Sequence, residues 1–187
     1  MASINTEVAI IGAGPSGSIA AHQLAAAGLD VVLLDRAKFP RDKPCGGGVT
    51  VRCERILPFS IDPVIEDVIT DADIRIRDES SVLQTSGSVL TYMTQRARLD
   101  AFLADKAQEV GAKFRDGEQV TDIFSRPGDG FVVKTRSGTE VQARVLLGAD
   151  GANGITGNRL GFDSHSEGAV ALEGNVYFPD GVPSPRD

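Results

Sequence analysis

Apolar positions along this chain fall into two kinds of run. Residues 7–12 (EVAIIG) and 30–35 (DVVLLD) are short, continuously apolar and rich in β-branched side chains, the pattern of strands buried on both faces. Between them, residues 15–27 are dominated by alanine, with Ile19 and Leu24 as the larger apolar positions. Pro15 suits a first helical turn and Gly28 suits the residue just past a helix end. Strand, helix and strand within about 30 residues predict a right-handed βαβ unit and hence a parallel sheet. The helical period returns over 96–110, where Leu99, Phe102, Leu103, Ala107 and Val110 share a face and Gly111 follows.

The rest reads as loop and antiparallel strand. Residues 36–50, rich in Pro and Gly, predict a loop leading into a short helix over 51–57. Over 73–93, Ile74, Ile76, Val82, Leu83, Val89 and Leu90 are scattered among polar residues and Gly87, which predicts hairpins. Further strands are expected over 113–114, 119–125, 130–136 and 139–147, with Gly128 beside Asp129 and Ser137 beside Gly138 as turns. Residues 169–178 read as one more strand, and 179–187 trail off polar. A terminal strand without obvious partners implies the front part of a longer protein.

Composition narrows the function. The chain has 187 residues, 41% hydrophobic and 24% charged, enough to bury a sizeable core without metal or disulfide help. Nineteen basic against twenty-six acidic residues leave a net charge of −7, which argues against a nucleic-acid partner. Cys45 and Cys53 make no disulfide framework, and His22 and His165 stand apart, so no metal cluster is expected. No apolar run approaches the roughly 18 residues needed to span a bilayer, and a cytoplasmic setting is the expectation.

Three glycine loops carry the chemistry. Gly12-Ala13-Gly14-Pro15-Ser16-Gly17 is a GxGxxG between a predicted strand and a predicted helix. Gly12 permits the tight turn, Gly14 lets a pyrophosphate approach the backbone, and Gly17 lets helix and strand pack closely. The helix N-terminus offers free N–H groups and partial positive charge to phosphate. Asp35 ends the second strand about 20 residues on, where a carboxylate accepts hydrogen bonds from an adenosine ribose and repels a 2′-phosphate; Arg36 follows it. This spacing predicts dinucleotide binding and does not separate FAD from NAD. In the second loop, Lys43-Pro44-Cys45-Gly46-Gly47-Gly48-Val49, three glycines give a backbone without side-chain walls, suited to a ring or a phosphate and equally to a surface loop. The third, Gly148-Ala149-Asp150-Gly151-Ala152-Asn153-Gly154, follows the apolar run 145–147 and places a carboxylate at a strand's carboxyl end, the edge where open α/β sheets bind ligands. Arg96 and Arg98 open the second predicted helix, where cations oppose the helix dipole; Asp100 offsets part of this and a bound anion would offset more.

Taken in order, GAGPSG with Asp35, the RARLDAFL helix with Arg96, and GADGAN resemble the FAD-dependent oxidoreductases built like para-hydroxybenzoate hydroxylase. Within that superfamily, KPCGGGV resembles the geranylgeranyl reductase family, whose members saturate isoprenoid double bonds in lipids, chlorophyll tails or quinones. The resemblance implies an α/β Rossmann-like FAD-binding domain, with a parallel sheet and a β-meander, over 1–60 and 93–165. Incomplete parts of an antiparallel substrate domain would occupy 61–92 and 166–187. It implies that Gly12, Gly14 and Gly17, with Pro15 and Ser16, hold the FAD pyrophosphate, and that Asp35 and Arg36 lie at the adenosine. Arg96 would approach the cofactor phosphates, Val120 would meet the adenine through its backbone, Asp150 and Gly151 would form the second FAD motif, and Cys45, Gly46, Gly47 and Gly48 would line the flavin ring. The family's usual Ser after GADGAN is Gly154 here, the Arg that follows arrives late as Arg159, and the later Gly-Asp motif is absent from these residues.

The implied activity is reduction of isoprenoid C=C bonds by hydride from reduced flavin, with NAD(P)H or another reductant as electron donor. The implied substrate is a small molecule of lipid or isoprenoid type, which allows peripheral membrane contact. Cys45 is the candidate proton donor, as the one candidate acid in the matched part that the resemblance places near the ring. An aromatic monooxygenase or a halogenase of the same fold is the alternative, although a Trp-x-Trp motif is impossible in a chain without Trp. A dinucleotide-binding module without catalysis is the third reading. The 187-residue chain by itself is expected to associate, to bind FAD weakly and to be inactive.

Overall fold

The computed structural model describes residues 3–76, 80–85, 87–162, 171–174 and 179. The chain opens with β1 (Ser3–Ile11), α1 (Pro15–Ala26) and β2 (Val31–Leu34), and β1 pairs with β2 in parallel, the βαβ unit that the apolar runs predict. β1 begins four residues ahead of its apolar run. Ser3 to Thr6 are mostly polar, yet they are drawn into the ladder opposite Glu140 to Ala143 of β11 (Glu140–Gly148), so the run marks only the half of the strand covered on both faces.

The segment after β2 is less of a loop than its glycines suggest. Gly48–Thr50 forms β3, followed by a helix of four residues, α2 (Val51–Glu54), and a 3-10 turn at Asp62–Val64. β4 (Ile65–Ile69) precedes a two-stranded ribbon of β5 (Asp71–Ile76) and β6 (Ser80–Thr85), then β7 (Thr91–Thr94). β7 takes β3 on one side and β4 on the other, both antiparallel. Neither β3 nor β4 was expected from the pattern, because each is short and completed only by a partner remote in sequence.

α3 (Arg96–Glu109) packs beside α1, and β8 (Lys113–Arg115), β9 (Val120–Arg126) and β10 (Gly130–Thr135) lead to β11. The main sheet has the order β8-β2-β1-β11-β10-β9. Its β8, β2, β1 and β11 run parallel, while β10 and β9 add an antiparallel meander. One core places Val8, Ile10, Val31 and Leu33 against Ala21 and Ala25 of α1 and Ala107 of α3. A second gathers Ala9, Ile11, Val32 and Leu34 with Val120, Ile123, Val133 and Val141. Every side chain of β2 is buried, as expected of a strand with both faces covered. Leu99 and Leu103 of α3 join a third cluster with Ile61 and Val64; of the expected apolar face, Phe102 and Val110 are only partly buried. The last element among the described residues is α4 (Thr156–Leu160). The strand expected over 169–178 is not seen where it can be examined: 171–174 carry no regular structure, and its other residues lie outside the described ones. Among the described residues, no helix is long and apolar enough to cross a membrane.

Candidate dinucleotide site

The carboxyl ends of β1, β2 and β11 converge on one open cleft of about 410 Å³. Gly12, Gly14, Pro15 and Ser16 line it from the first loop, Asp35 and Arg36 from the end of β2, Val120 from β9, and Asp150 and Gly151 from the third loop. The topology thus brings together residues that are far apart in sequence.

The first and third loops are pressed into one unit. Gly12 has φ +100°, and a Cβ on it would stand 2.6 Å from the Ala149 carbonyl carbon and 2.8 Å from Asp150 Cα. The backbone fixes this approach: Gly12 N–H donates to Leu34 O at 2.7 Å, and Ala149 N–H donates to Ile11 O at 2.7 Å. Gly17 is buried behind the loop, where a Cβ would meet Gly12 C at 3.0 Å and Ala149 Cβ at 3.2 Å. It shapes the cleft by letting α1 lie against the strand ends, and it does not line it. A Cβ on Gly14, by contrast, would meet only arginine tips, Arg41 Nη2 at 3.8 Å and Arg96 Nη2 at 4.0 Å. The N-terminus of α1 therefore faces the cleft with bare backbone and two guanidiniums.

Asp35 is buried, and its oxygens tie two turns together. Oδ2 accepts from Ala13 N–H at 2.8 Å, and Oδ1 accepts from Ala37 N–H at 2.9 Å. Arg96 does not stand as a lone cation at the start of α3. Its Nε and Nη2 both donate to the fully buried Asp100, at 2.9 and 2.8 Å. That hydrogen bond raises the Arg96 pKa, against the burial that opposes it and with a smaller contribution from the Cys45 thiol beside it. Arg98 turns away to Glu66 and to Pro63 O. Arg41, which the pattern did not single out, pairs with the same Asp100 oxygen at 2.9 Å and approaches Asp35 at 3.9 Å. The i,i+4 spacing of Arg96 and Asp100 was visible in the sequence; nothing in it pointed to Arg41.

Val120 lines the cleft and also belongs to the second core. Beside it, Glu118 accepts from Ser137 Oγ at 2.6 Å, Thr139 Oγ1 at 3.1 Å and Arg115 Nη2 at 3.2 Å. Burial pushes its carboxyl up, but hydrogen bonds from Ser137, Thr135, Arg115 and Thr139 together outweigh this and leave it below the usual carboxylate range.

Asp150 serves the loop as well as the cleft. Its Oδ2 accepts from Thr156 N–H at 3.0 Å and Thr156 Oγ1 at 2.9 Å, holding the start of α4. A Cβ at Gly154 would fall on this carboxylate, which would have to shift to admit a side chain there. Arg159 lies outside the cleft lining, donating to Thr121 O at 3.2 Å and pairing with Asp122 at 3.1 Å.

Cys45 and the glycines after it sit beyond the cleft's edge at Lys43. Cys45 is exposed, and its Sγ accepts from Gly47 N–H at 3.5 Å. Gly46 has open space around it, whereas Gly47 is buried with φ +75° and its O accepts from Thr94 N–H at 2.9 Å and Thr94 Oγ1 at 2.8 Å. Gly48 lies in β3. The CGGG segment is therefore fastened to β7 and is not a free loop.

A glycine cradle at a helix N-terminus, two arginines above it and a carboxylate at the end of β2 fit the diphosphate and ribose of a dinucleotide. Residues 5–187 match the FAD binding domain family. The chain belongs to that family. The α/β fold with a mixed main sheet and separate antiparallel pieces agrees with this membership. The chain is 35% identical over 181 residues to a menaquinone reductase of Mycobacterium tuberculosis, covering 93% of this chain and 44% of the relative. It is 30% identical over 188 residues to Protein FixC of Escherichia coli, covering 92% and 44%. Among solved structures, a geranylgeranyl bacteriochlorophyll reductase-like protein of Thermoplasma acidophilum superposes with a TM-score of 0.77 at 21% identity, covering 85% of this chain and 42% of that one. A myxobacterial halogenase, CndH, gives 0.69 at 20% identity, covering 81% and 38%; at these identities the likeness is one of fold. The chain spans less than half the length of the curated relatives it matches.

Proposed function

We propose that this chain is the FAD-binding part of a reductase that saturates C=C bonds of isoprenoid type. The observation that carries the reading is the CGGG segment, pinned to β7 through Thr94 just beyond the edge of the cleft, with the Cys45 thiol beside Arg96. The 35% identity to a menaquinone reductase points the same way. When bound, FAD supplies hydride to one alkene carbon, and NAD(P)H or another reductant returns the flavin to its reduced form.

The chain's own residues bind, orient and supply the proton. Gly12, Gly14, Pro15 and Ser16 offer backbone to the diphosphate, with Arg96 above them. Asp35 accepts from the adenosine ribose, Arg36 borders it, and Val120 presents its backbone to the adenine. Asp150 and Gly151 close the opposite wall. Gly46, Gly47 and Gly48 form a side-chain-free surface for the ring. The Cys45 Sγ–H gives its proton to the second alkene carbon, and the exposed thiolate regains one from solvent. Hydride and proton together complete the saturated bond.

Stopped-flow measurement of the two half-reactions tests this on the flavin-loaded protein. Cys45→Ser is expected to retain FAD and to slow reoxidation by a polyprenyl alkene more than it slows flavin reduction. Rates equal to wild type in both half-reactions would leave Cys45 a packing residue. Oxygen-dependent hydroxylation or halogenation of an aromatic substrate, without alkene turnover, would replace the reductase reading.

A further inference from the structure

We propose that Arg41 is a second anion-binding guanidinium of this cleft, held there by Asp100, and that it recognises the diphosphate of the nucleotide and not its adenosine. The inference rests on the FAD reading above and deepens it.

Arg41 belongs to no helix or strand, yet its side chain is only 15% exposed. Its Nη2 lies 2.9 Å from Asp100 Oδ2, the oxygen that also receives Arg96 Nη2 at 2.8 Å. Asp100 is fully buried in α3, so a single carboxylate anchors two guanidiniums. Asp35, 3.9 Å from Arg41 Nε, already accepts from the Ala13 and Ala37 N–H groups. The plane of Arg41 is further set by the Phe39 ring, 5.0 Å below it, and Phe39 in turn meets Phe114 edge-on.

A guanidinium carries five N–H donors in a rigid fork. Asp100 engages one end of Arg41, and the same Nη2 reaches toward Gly14, 3.8 Å from where a Cβ would sit, with Arg96 Nη2 at 4.0 Å. The first turn of α1 adds backbone N–H groups and the positive end of its dipole at that point. Two forked cations beside a helix N-terminus match a doubly charged, oxygen-rich group. An adenosine would gain nothing from the second cation.

The test uses the purified protein freed of flavin and compares wild type, Arg41→Gln and Arg41→Lys in titrations with ADP and with adenosine. Arg41→Gln is expected to weaken ADP by roughly tenfold or more, the scale of a lost charge-assisted contact, and to leave adenosine within about twofold. Its ADP affinity should also depend less steeply on salt than that of wild type. Equal losses for ADP and adenosine, or unchanged ADP affinity, would overturn the proposal. Where Arg41→Gln fails to fold, Arg41→Lys decides: it keeps the charge and loses the fork, so a selective ADP loss supports the proposal and an unchanged ADP affinity overturns it. A wild-type protein that binds neither ligand would contradict the FAD reading itself, a result distinct from either variant outcome.

Discussion

Gly12 and Ala149 sit so close that a Cβ on Gly12 would stand 2.6 Å from the Ala149 carbonyl carbon. This contact joins the end of β1 to the loop after β11 and makes one wall of two remote glycine motifs. Gly12→Ala adds that clash and also forces a side chain onto a φ of +100°, a region L-residues avoid. The variant is expected to lose FAD binding together with a lowered melting temperature. Wild-type flavin retention in this variant would mean that the loops are not packed as described.

Asp35→Ala separates ligand from fold less cleanly, because Asp35 also accepts from Ala13 and Ala37. Removing a charged hydrogen-bonding partner of the ribose is expected to weaken FAD by roughly 1.5–3 kcal/mol. Calorimetric titration of flavin-free protein measures it. Unchanged affinity would confine Asp35 to its two backbone contacts.

Asp100→Asn removes the buried charge that Arg41 and Arg96 share. Breaking a buried ion pair from one side leaves the partner's charge uncompensated, and a stability loss of about 3 kcal/mol is expected in urea unfolding. A midpoint equal to wild type would show that solvent already neutralises both arginines.

Glu118 sets an acid limit. Its folded carboxyl titrates below the usual range, so the unfolded state binds more protons as pH falls through about 4.3. The stabilisation is therefore complete above that value and is lost progressively on going lower. Asp116, lowered first by its hydrogen bond from Lys38, acts in the same direction. Glu118→Gln should flatten the fall in melting temperature below pH 4.5 relative to wild type. An unchanged acid limb would place the carboxyl's partners elsewhere.

Much of the main sheet was legible because its strands are bounded by turn residues and carry their own apolar runs; β9, β10 and β11 fall within a residue or two of their expected bounds. The polar start of β1 was not, since Ser3, Asn5 and Thr6 owe their extended state to pairing with β11. β3 and β4 were missed for a similar reason: β7 completes both. At the site, the roles of Gly12 and Gly17 could be read from local spacing, whereas Arg41 acquires a place only when folding brings Asp100 to it. The nearness of the Asp150 carboxylate to any side chain added at Gly154 likewise belongs to the closed loop and not to the motif.

The most direct test of the account is the identity of the nucleotide that the natively purified full-length protein carries. Denaturation followed by chromatography of the released compound should give FAD, and titration of the flavin-free protein with FAD should restore one equivalent. Release of NAD, or of FMN alone, would contradict the assignment of this cleft.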